Sequence, residues 1–433
     1  MQDEKRELDS SEVSRVFKQR GRSTHCFRGG AILKKIAFLG QALGVILCLA
    51  PVLQAQFSSP SVNISNSGTD SLLPRISHII GGTTELAIWL EESGDTDYLM
   101  FSKSTNMAQT WSTPVYLTGN GQIRTGDILT DDYCFSFCVD NPYVHVVMQW
   151  RSSAATDFEI WYIRSTDLGD TWDAWVQLTN NTTNSRFPDV DVRGEYVHVC
   201  YQDSWPGNED IMYKRITNYG AGGVDQTRRL TFATTDAYYP RIAVSQSGIT
   251  VNIVYQDAWN GHWNIFYKYI PSYGAGSYQT RQLTFNSTDY NGRPDIVFGW
   301  DSYEQYVYIV YETDWPGNMD IMYKRLGNYG GAGGTIYTAR LTYSATESRT
   351  CTIDFDTAYG YVHVAYNDLW PGNNDVMHKE FTVGGGAGFA TQRVSWGTGD
   401  SSHACVAASG TWAYIAWMDD STGNYEILVK RGN

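Results

Sequence analysis

The sequence predicts an all-β chain, a seven-bladed β-propeller of four-stranded antiparallel blades, closed by an N-terminal strand that completes the last blade. The first observation behind this is a repeat. Residues 201–215 read Tyr-Gln-Asp-Ser-Trp-Pro-Gly-Asn-Glu-Asp-Ile-Met-Tyr-Lys-Arg, relatives begin at Tyr255, Tyr311, Tyr366 and Trp417, and weaker copies begin at Met148 and Trp89. Seven anchors spaced by 51 to 59 residues mean one supersecondary unit repeated. The second is composition: aromatics are 14% of the chain and glycines number 41, which favours short strands joined by turns. The third is a complementarity between the ends of the array. The last repeat stops at Asn433 directly after its third strand, while residues 62–76 mirror residues 282–296 in running from a fourth strand into a first.

Residues 1–55 stand outside the array. Lys34-Lys35 precede an apolar run from 36 to 53 that closes on Leu53-Gln54-Ala55 before Gln56, the layout of a secretory signal. Gly40, Gln41, Gly44 and Pro51 make the run a poor permanent span, so no stable membrane insertion is expected after cleavage. Counting from Leu33 gives a signal of ordinary length, so residues 1–32 are read as lying ahead of the true translation start. Nine of the 32 Lys and Arg and five of the 46 Asp and Glu fall in this segment, leaving a net charge of −18 on the rest. Such a surface repels nucleic acid and anionic lipid and suits a soluble protein that binds cations or neutral sugars; the signal implies a secreted or periplasmic location. The remaining cysteines, Cys134, Cys138, Cys200, Cys351 and Cys405, match no zinc spacing. Buried free thiols are expected, with a Cys351–Cys405 bridge as the alternative.

Residues 187–231 show one full period. The alternating segment 187–192 meets the turn Arg193-Gly194, and the β-branched and aromatic run 196–201 leads into Trp-Pro-Gly-Asn. A third strand at 210–214 and a Gly-rich bend at 219–223 lead to a fourth strand at 227–231. Its Leu-Thr ending recurs at Leu117-Thr118, Leu178-Thr179, Leu283-Thr284 and Leu341-Thr342, with Val394-Ser395 as a variant. A sheet of four such strands, A to D, cannot bury both faces alone. Radial stacking covers them and protects the edges. Residues 62–65 are then expected to pair with 426–431 and lock the ring; a monomer is expected.

Two bends between strands C and D carry a recognisable motif. Ser165-Thr-Asp167-Leu-Gly169-Asp-Thr171-Trp172 is a complete S-x-D-x-G-x-T-W, and Ser104-Thr-Asn106-Met-Ala-Gln-Thr110-Trp111 is a degenerate copy. The motif resembles the Asp-box (BNR) repeat of the sialidase superfamily. In that family it is structural, which implies that Asp167 accepts backbone amides of its own turn while Trp172 packs beneath. The Leu-Thr, Pro, Asp-x-Tyr layout also resembles the repeats of TolB-type periplasmic propellers. The family's sialidases are six-bladed and carry an Arg-Ile-Pro type motif. Here the count is seven, and Pro74-Arg75-Ile76 and Pro240-Arg241-Ile242 carry these residues in a changed order.

In propellers the B–C and D–A loops open on one face around the channel. Trp205, Trp259, Trp315 and Trp370 share one B–C position, and Asp203, Asp257, Asp368 and Asp419 share another, with Thr313 in the fifth repeat. On one reading each Trp plugs the gap to the next blade and each Asp caps its turn. On the other, each loop offers an indole for stacking on a sugar and a carboxylate for its hydroxyls, and repetition supplies avidity. Asp203 with Asp210, or Asp368 with Asp375, are also candidates for calcium, although no D-x-D-x-D-G loop exists. No other cofactor is expected. His145, His198 and His363 share one B-strand position and read as scaffold. The breaks in the repeat, at His262-Trp263, His403 and 119–132, assemble no nucleophile, base and orienting acid, while paired carboxylates stay open. The expectation is an exported non-catalytic module binding glycan or protein. The alternatives are a sialidase-like hydrolase at the channel mouth and a TolB-like scaffold.

Overall fold

Seven antiparallel sheets of four strands form the computed structural model. It describes residues 56–433 apart from 94–95, 119–132, 153–155, 206, 286, 301–303, 316, 328–329, 332–333, 335, 371, 383–389 and 411. The expected leader in 1–55 and the insertion at 119–132 lie outside the described residues. Strands A to D of blade 1 are Ser71–His78, Glu85–Ser93, Thr96–Ser104 and Val115–Tyr116, and those of blade 2 are Phe135–Asp140, Tyr143–Trp150, Glu159–Ser165 and Val176–Gln177. Blade 3 has Ser185–Arg193, Tyr196–Asp203, Asp210–Ile216 and Val224–Arg229, and blade 4 has Ala237–Val244, Val251–Asp257, Asn264–Ile270 and Gln279–Gln282. Blade 5 comprises Asn291–Trp300, Gln305–Thr313, Asp320–Leu326 and Ile336–Arg340, and blade 6 comprises Ser348–Asp356, Tyr361–Asp368, Asp375–Thr382 and Ala390–Arg393. Blade 7 takes Ser401–Ser409, Trp412–Asp419 and Glu426–Gly432 from the carboxy terminus and Val62–Asn63 from the amino-terminal end of the array.

The ring closes as expected, with Val62 opposite Val429 and Asn63 opposite Leu428. Ile64 N–H then donates to Ile427 O at 2.9 Å. The Leu-Thr signature explains itself here. Its hydroxyl accepts the N–H of the strand C residue opposite it in every blade, at 2.8 to 3.2 Å, with Ser65 filling the role on Ile427 in blade 7. The side chain thereby extends the ladder one rung beyond the strand, which is why strand D of blade 3 ends at Arg229, two residues short of the sequence expectation.

Burial lies between blades. Ile160 and Tyr162 of blade 2 pack with Val197, Val199 and Tyr201 of blade 3 in one cluster, and equivalent clusters recur around the ring. Each such side chain stabilises by about 1.5–3 kcal/mol. All five described cysteines are free, and no helix among the described residues is long and apolar enough to cross a membrane. The three histidines are scaffold. His145 meets Tyr162 Oη at 2.7 Å, His198 meets Tyr213 Oη at 2.8 Å and His363 meets His378 at 3.1 Å. In blade 4 the place is taken by Asn252, which accepts from Tyr267 Oη at 2.6 Å.

The bends between strands C and D of blades 2 to 5 press backbone against an aromatic ring of the preceding blade. Gly169 has φ +86° and a Cβ there would sit 2.2 Å from Phe101 Cζ; Gly220, Gly274 and Gly330 abut the hydroxyls of Tyr162, Tyr213 and Tyr267 in the same way. In blade 2 the bend is held by Asp167. It accepts Thr171 N–H at 2.8 Å, Thr171 Oγ1 at 2.6 Å and Ser165 Oγ at 2.8 Å, and Trp172 packs edge-on against Phe101. The hydrogen bonds from Thr171 hold the Asp167 carboxyl down at about 2. Asn106 builds the same turn in blade 1, accepting Thr110 N–H at 2.9 Å.

Candidate functional site

The B–C and D–A loops share one face, where they are tied together. Asn208 Nδ2 donates to Ala233 O and Thr235 O, and Asn318, Asn373 and Asn424 make the corresponding bonds in blades 5, 6 and 7. The Asn of Trp-Pro-Gly-Asn thus anchors one loop to the other. Beneath it, Asp203 Oδ1 accepts Trp205 N–H at 2.9 Å and Thr183 Oγ1 at 3.1 Å, while Oδ2 accepts Asn181 Nδ2 at 2.8 Å and Ser185 Oγ at 2.9 Å. Asp368 repeats this with Trp370 N–H, Thr346 and Ser348, and Asp419 with Ser421 N–H and Ser401. Thr313 Oγ1 replaces the carboxylate under Trp315 N–H. Burial pushes the Asp257 carboxyl up to about 6 against the bonds from Thr235 and the Trp259 amide.

These carboxylates are 2 to 5% exposed and engaged in their own loops. Of the two roles weighed for them, capping is the one they occupy. The hydroxyls of Thr183, Ser185, Thr235, Thr346 and Ser348 donate to them. The calcium expectation meets a similar obstacle. Asp210 and Asp375 lie directly across from Asp203 and Asp368, but each holds an arginine, Arg229 at 2.7 Å and Arg393 at 2.7 Å. Among the described residues no group of three or more acidic, His or Cys side chains converges as a metal cage.

The indoles behave differently. Trp205, Trp259, Trp315 and Trp370 are 53, 47, 49 and 56% exposed, so they do not plug the seams between blades. The reason is positional: the seam is already filled by the strand B aromatic four residues earlier, Tyr201, Tyr255, Tyr311 and Tyr366, all buried. A second set of aromatics stands on the same face at the residue after Leu-Thr: Phe232, Phe285, Tyr343 and Trp396, all exposed. The sequence reading missed them, although the signal lay in the repeat, directly behind a motif it used.

Strand A of every blade lines the central channel, around a cavity of 890 Å³. As the inner edge of each sheet it has N–H groups without a ladder partner, and carboxylates from the blade before satisfy them. Asp189 Oδ2 accepts Ile242 N–H at 2.8 Å, Asp191 accepts Val244 at 2.7 Å, Asp295 accepts Ile353 at 3.0 Å and Asp354 accepts Ala408 at 2.8 Å. Burial raises the carboxyls of Asp191 and Asp295 and brings Asp354 to about 6. Arg241 spans Asp189 at 3.5 Å and Asp295 at 4.0 Å beneath the Tyr133 ring, 3.9 Å away. Strand A opens with a bulge in six blades, whose extra residue (Leu73, Phe187, Tyr239, Arg293, Thr350 or His403) has φ of 47 to 54°. Such backbone costs about 1–3 kcal/mol each. It is held from the previous blade, as where Gln149 and Gln256 accept the amides of Phe187 and Arg293 at 2.9 Å.

A scan against protein-family models finds no match, and neither does a search of curated protein sequences. Solved structures do resemble the chain in fold. The GH93 α-L-arabinofuranosidase of Fusarium graminearum, in complex with arabinobiose, superposes with a TM-score of 0.51 at 14% identity, over 75% of this chain and 98% of its own. An α-L-arabinanase of Penicillium chrysogenum, also with arabinobiose, gives 0.51 at 15% over 76% and 98%. A sialidase of Streptococcus pneumoniae gives 0.51 at 9% over 76% and 71%. At these identities the likeness is one of fold: the chain is a propeller of the architecture that these saccharide-handling proteins share.

Proposed function

We propose that the protein is an exported, non-catalytic carbohydrate-binding propeller whose ligand stacks on Trp205, Trp259, Trp315 and Trp370. The observation that carries this is the placement of four half-exposed indoles at one position of consecutive blades, on loops that are each capped and, in blades 3, 5 and 6, anchored by an Asn. A rigid aromatic presents a large face at low ordering cost, and its apolar plane matches the C–H face of a pyranose or furanose ring. The neighbours in fold are named for action on saccharides, which agrees with a glycan ligand. Binding without turnover is favoured by the channel, where Asp189, Asp191, Asp295 and Asp354 each serve a backbone amide; a glycosidase needs two carboxyl groups free to act on the substrate.

The test is a glycan array on the full-length protein, paired with assays for release of arabinose and sialic acid from substrates of both classes. Binding without release is expected. Silence across the array would refute the carbohydrate reading, and release of either sugar would refute the non-catalytic one.

A further inference from the structure

We propose that blades 3 to 6 hold one continuous ligand, a neutral linear polysaccharide laid along the arc, with Phe232, Phe285, Tyr343 and Trp396 as a second row of stacking platforms. The inference rests on the carbohydrate reading of the indoles and goes beyond it in ligand class and mode. The second row is 63, 75, 74 and 70% exposed, and three of its members are the most exposed large apolar side chains among the described residues. Strand D is outermost in each sheet and strands B and C lie inside it. Each of these blades therefore offers two aromatic surfaces, an indole at middle radius and a second ring at the rim. The corresponding residues elsewhere are Asn66, Gly119 and Asn180, so both rows stop at the same blade boundaries.

The rim rings are built in. The guanidinium of Arg229 lies 4.9 Å from the Phe232 ring, Arg340 lies 4.7 Å from Tyr343 and Arg393 lies 4.8 Å from Trp396. Each arginine is paired with a buried carboxylate, Asp210, Asp320 or Asp375, at 2.6 to 2.7 Å. One face of each of these three rings thus rests on a neutralised cation and the other is open to solvent. The ligand's charge follows from the same pairs. These guanidinium groups are already matched, and the chain as a whole carries −14, so a polyanion would meet net repulsion. Exposed Thr234, Ser287, Thr288 and Thr398 on the D–A loops supply hydroxyls instead, the polar chemistry that suits a neutral sugar.

Contiguity argues for one chain. Independent sugar sites gain nothing from adjacency and would be as useful on any blade, whereas a single polymer requires neighbouring platforms. A chain engaging successive blades binds with the effective concentration of its own linkage, worth about 10²-fold or more in affinity.

The experiment is isothermal titration of the full-length protein, first with arabinan, xylan, mannan and soluble glucan. Oligosaccharides of two to ten units from whichever polymer binds follow, on the native protein and on the Phe232→Ala, Tyr343→Ala and Trp396→Ala variants. The proposal expects affinity to climb about 10²-fold along the series, one long chain bound per protein, and a roughly tenfold loss for each variant on long chains alone, at unchanged melting temperature. Equal affinity for short and long ligands with several short ones bound per protein would overturn the single-chain proposal while leaving the carbohydrate reading intact. Binding only of charged glycans would overturn the neutral ligand class. No binding of any saccharide would overturn both.

Discussion

Blades 3 to 6 and blades 1, 2 and 7 are built by the same rules and finished differently. All seven use the hydroxyl after strand D to extend the ladder, and bends in both groups press backbone against the ring before them. What separates them is where the aromatics go. In blades 1 and 7 the tryptophans Trp89 and Trp417 occupy the buried strand B position, at 0 and 2% exposure. In blades 3 to 6 that position is a buried Tyr, and the tryptophan stands four residues on, in solvent. Since blades 1, 2 and 7 pack with Ser93, Ser152 and Ser421 at that position, a blade folds without an indole there. The exposure of the indoles on four adjacent blades is what the proposed carbohydrate ligand accounts for.

That contrast can be broken first at the tryptophans. Trp89→Ala or Trp417→Ala removes a fully packed ring and is expected to cost about 3–5 kcal/mol of stability. Trp205→Ala or Trp370→Ala is expected to stay within about 0.5 kcal/mol. Urea titration reads both, and equal losses would mean the exposed indoles are structural after all.

Acid should separate blades 2, 3 and 6 from blade 4. Burial lowers His145, His198 and His363 to about 3, below an unfolded value near 6.5. Between those limits the unfolded chain binds more protons than the native one. The stability these groups contribute is therefore complete above about pH 6.5 and is lost as the pH falls toward 3, at up to about 4 kcal/mol per pH unit for the three together. Blade 4 carries Asn252 at this position and has no such liability. His198→Asn, which copies it, should shift the midpoint of acid unfolding to lower pH while leaving the melting temperature at pH 8 nearly unchanged; an unmoved midpoint would exclude the histidine as the acid trigger.

The bends offer a comparison of similar size. Gly169→Ala in blade 2 and Gly274→Ala in blade 4 should each cost about 2–4 kcal/mol, from left-handed backbone and from collision with the ring of the preceding blade. Gly207→Ala and Gly317→Ala, at positive φ but with nothing within 4 Å, should cost about 1 kcal/mol. If Gly169 and Gly274 differed widely, the Asp-containing and Gly-rich bends would not be doing one job. The smallest effect is at Asp167, held at about 2 by Thr171. Its folded value lies below the unfolded one, so its contribution is present above about pH 4 and disappears toward pH 2. Asp167→Asn should flatten the melting curve's pH dependence only in that window.

The architecture was legible because strand periodicity, turn residues and the missing fourth strand of blade 7 are written locally and repeat seven times. The candidate site was legible only in outline. The Trp and Asp positions emerged from the repeat, but whether a side chain faces seam or solvent depends on what else fills the seam, and Tyr201 and its equivalents filled it. The fate of Asp203 hinged on hydroxyls about twenty residues away, at Thr183 and Ser185, which become neighbours only when the D–A loop folds under the B–C loop. The channel carboxylates were opaque for a similar reason: the amide that Asp189 serves belongs to Ile242, one blade later. The rim aromatics were readable in principle, since each follows the Leu-Thr pair, and were passed over because that pair looked like an ending.

The most direct test is the quadruple variant Trp205→Ala, Trp259→Ala, Trp315→Ala, Trp370→Ala, measured for thermal unfolding and for binding to the saccharide that the native protein retains most strongly. The account predicts a melting temperature within a few degrees of the native one and affinity lower by about 10²-fold or more. Native affinity, or collapse of the fold, would contradict it.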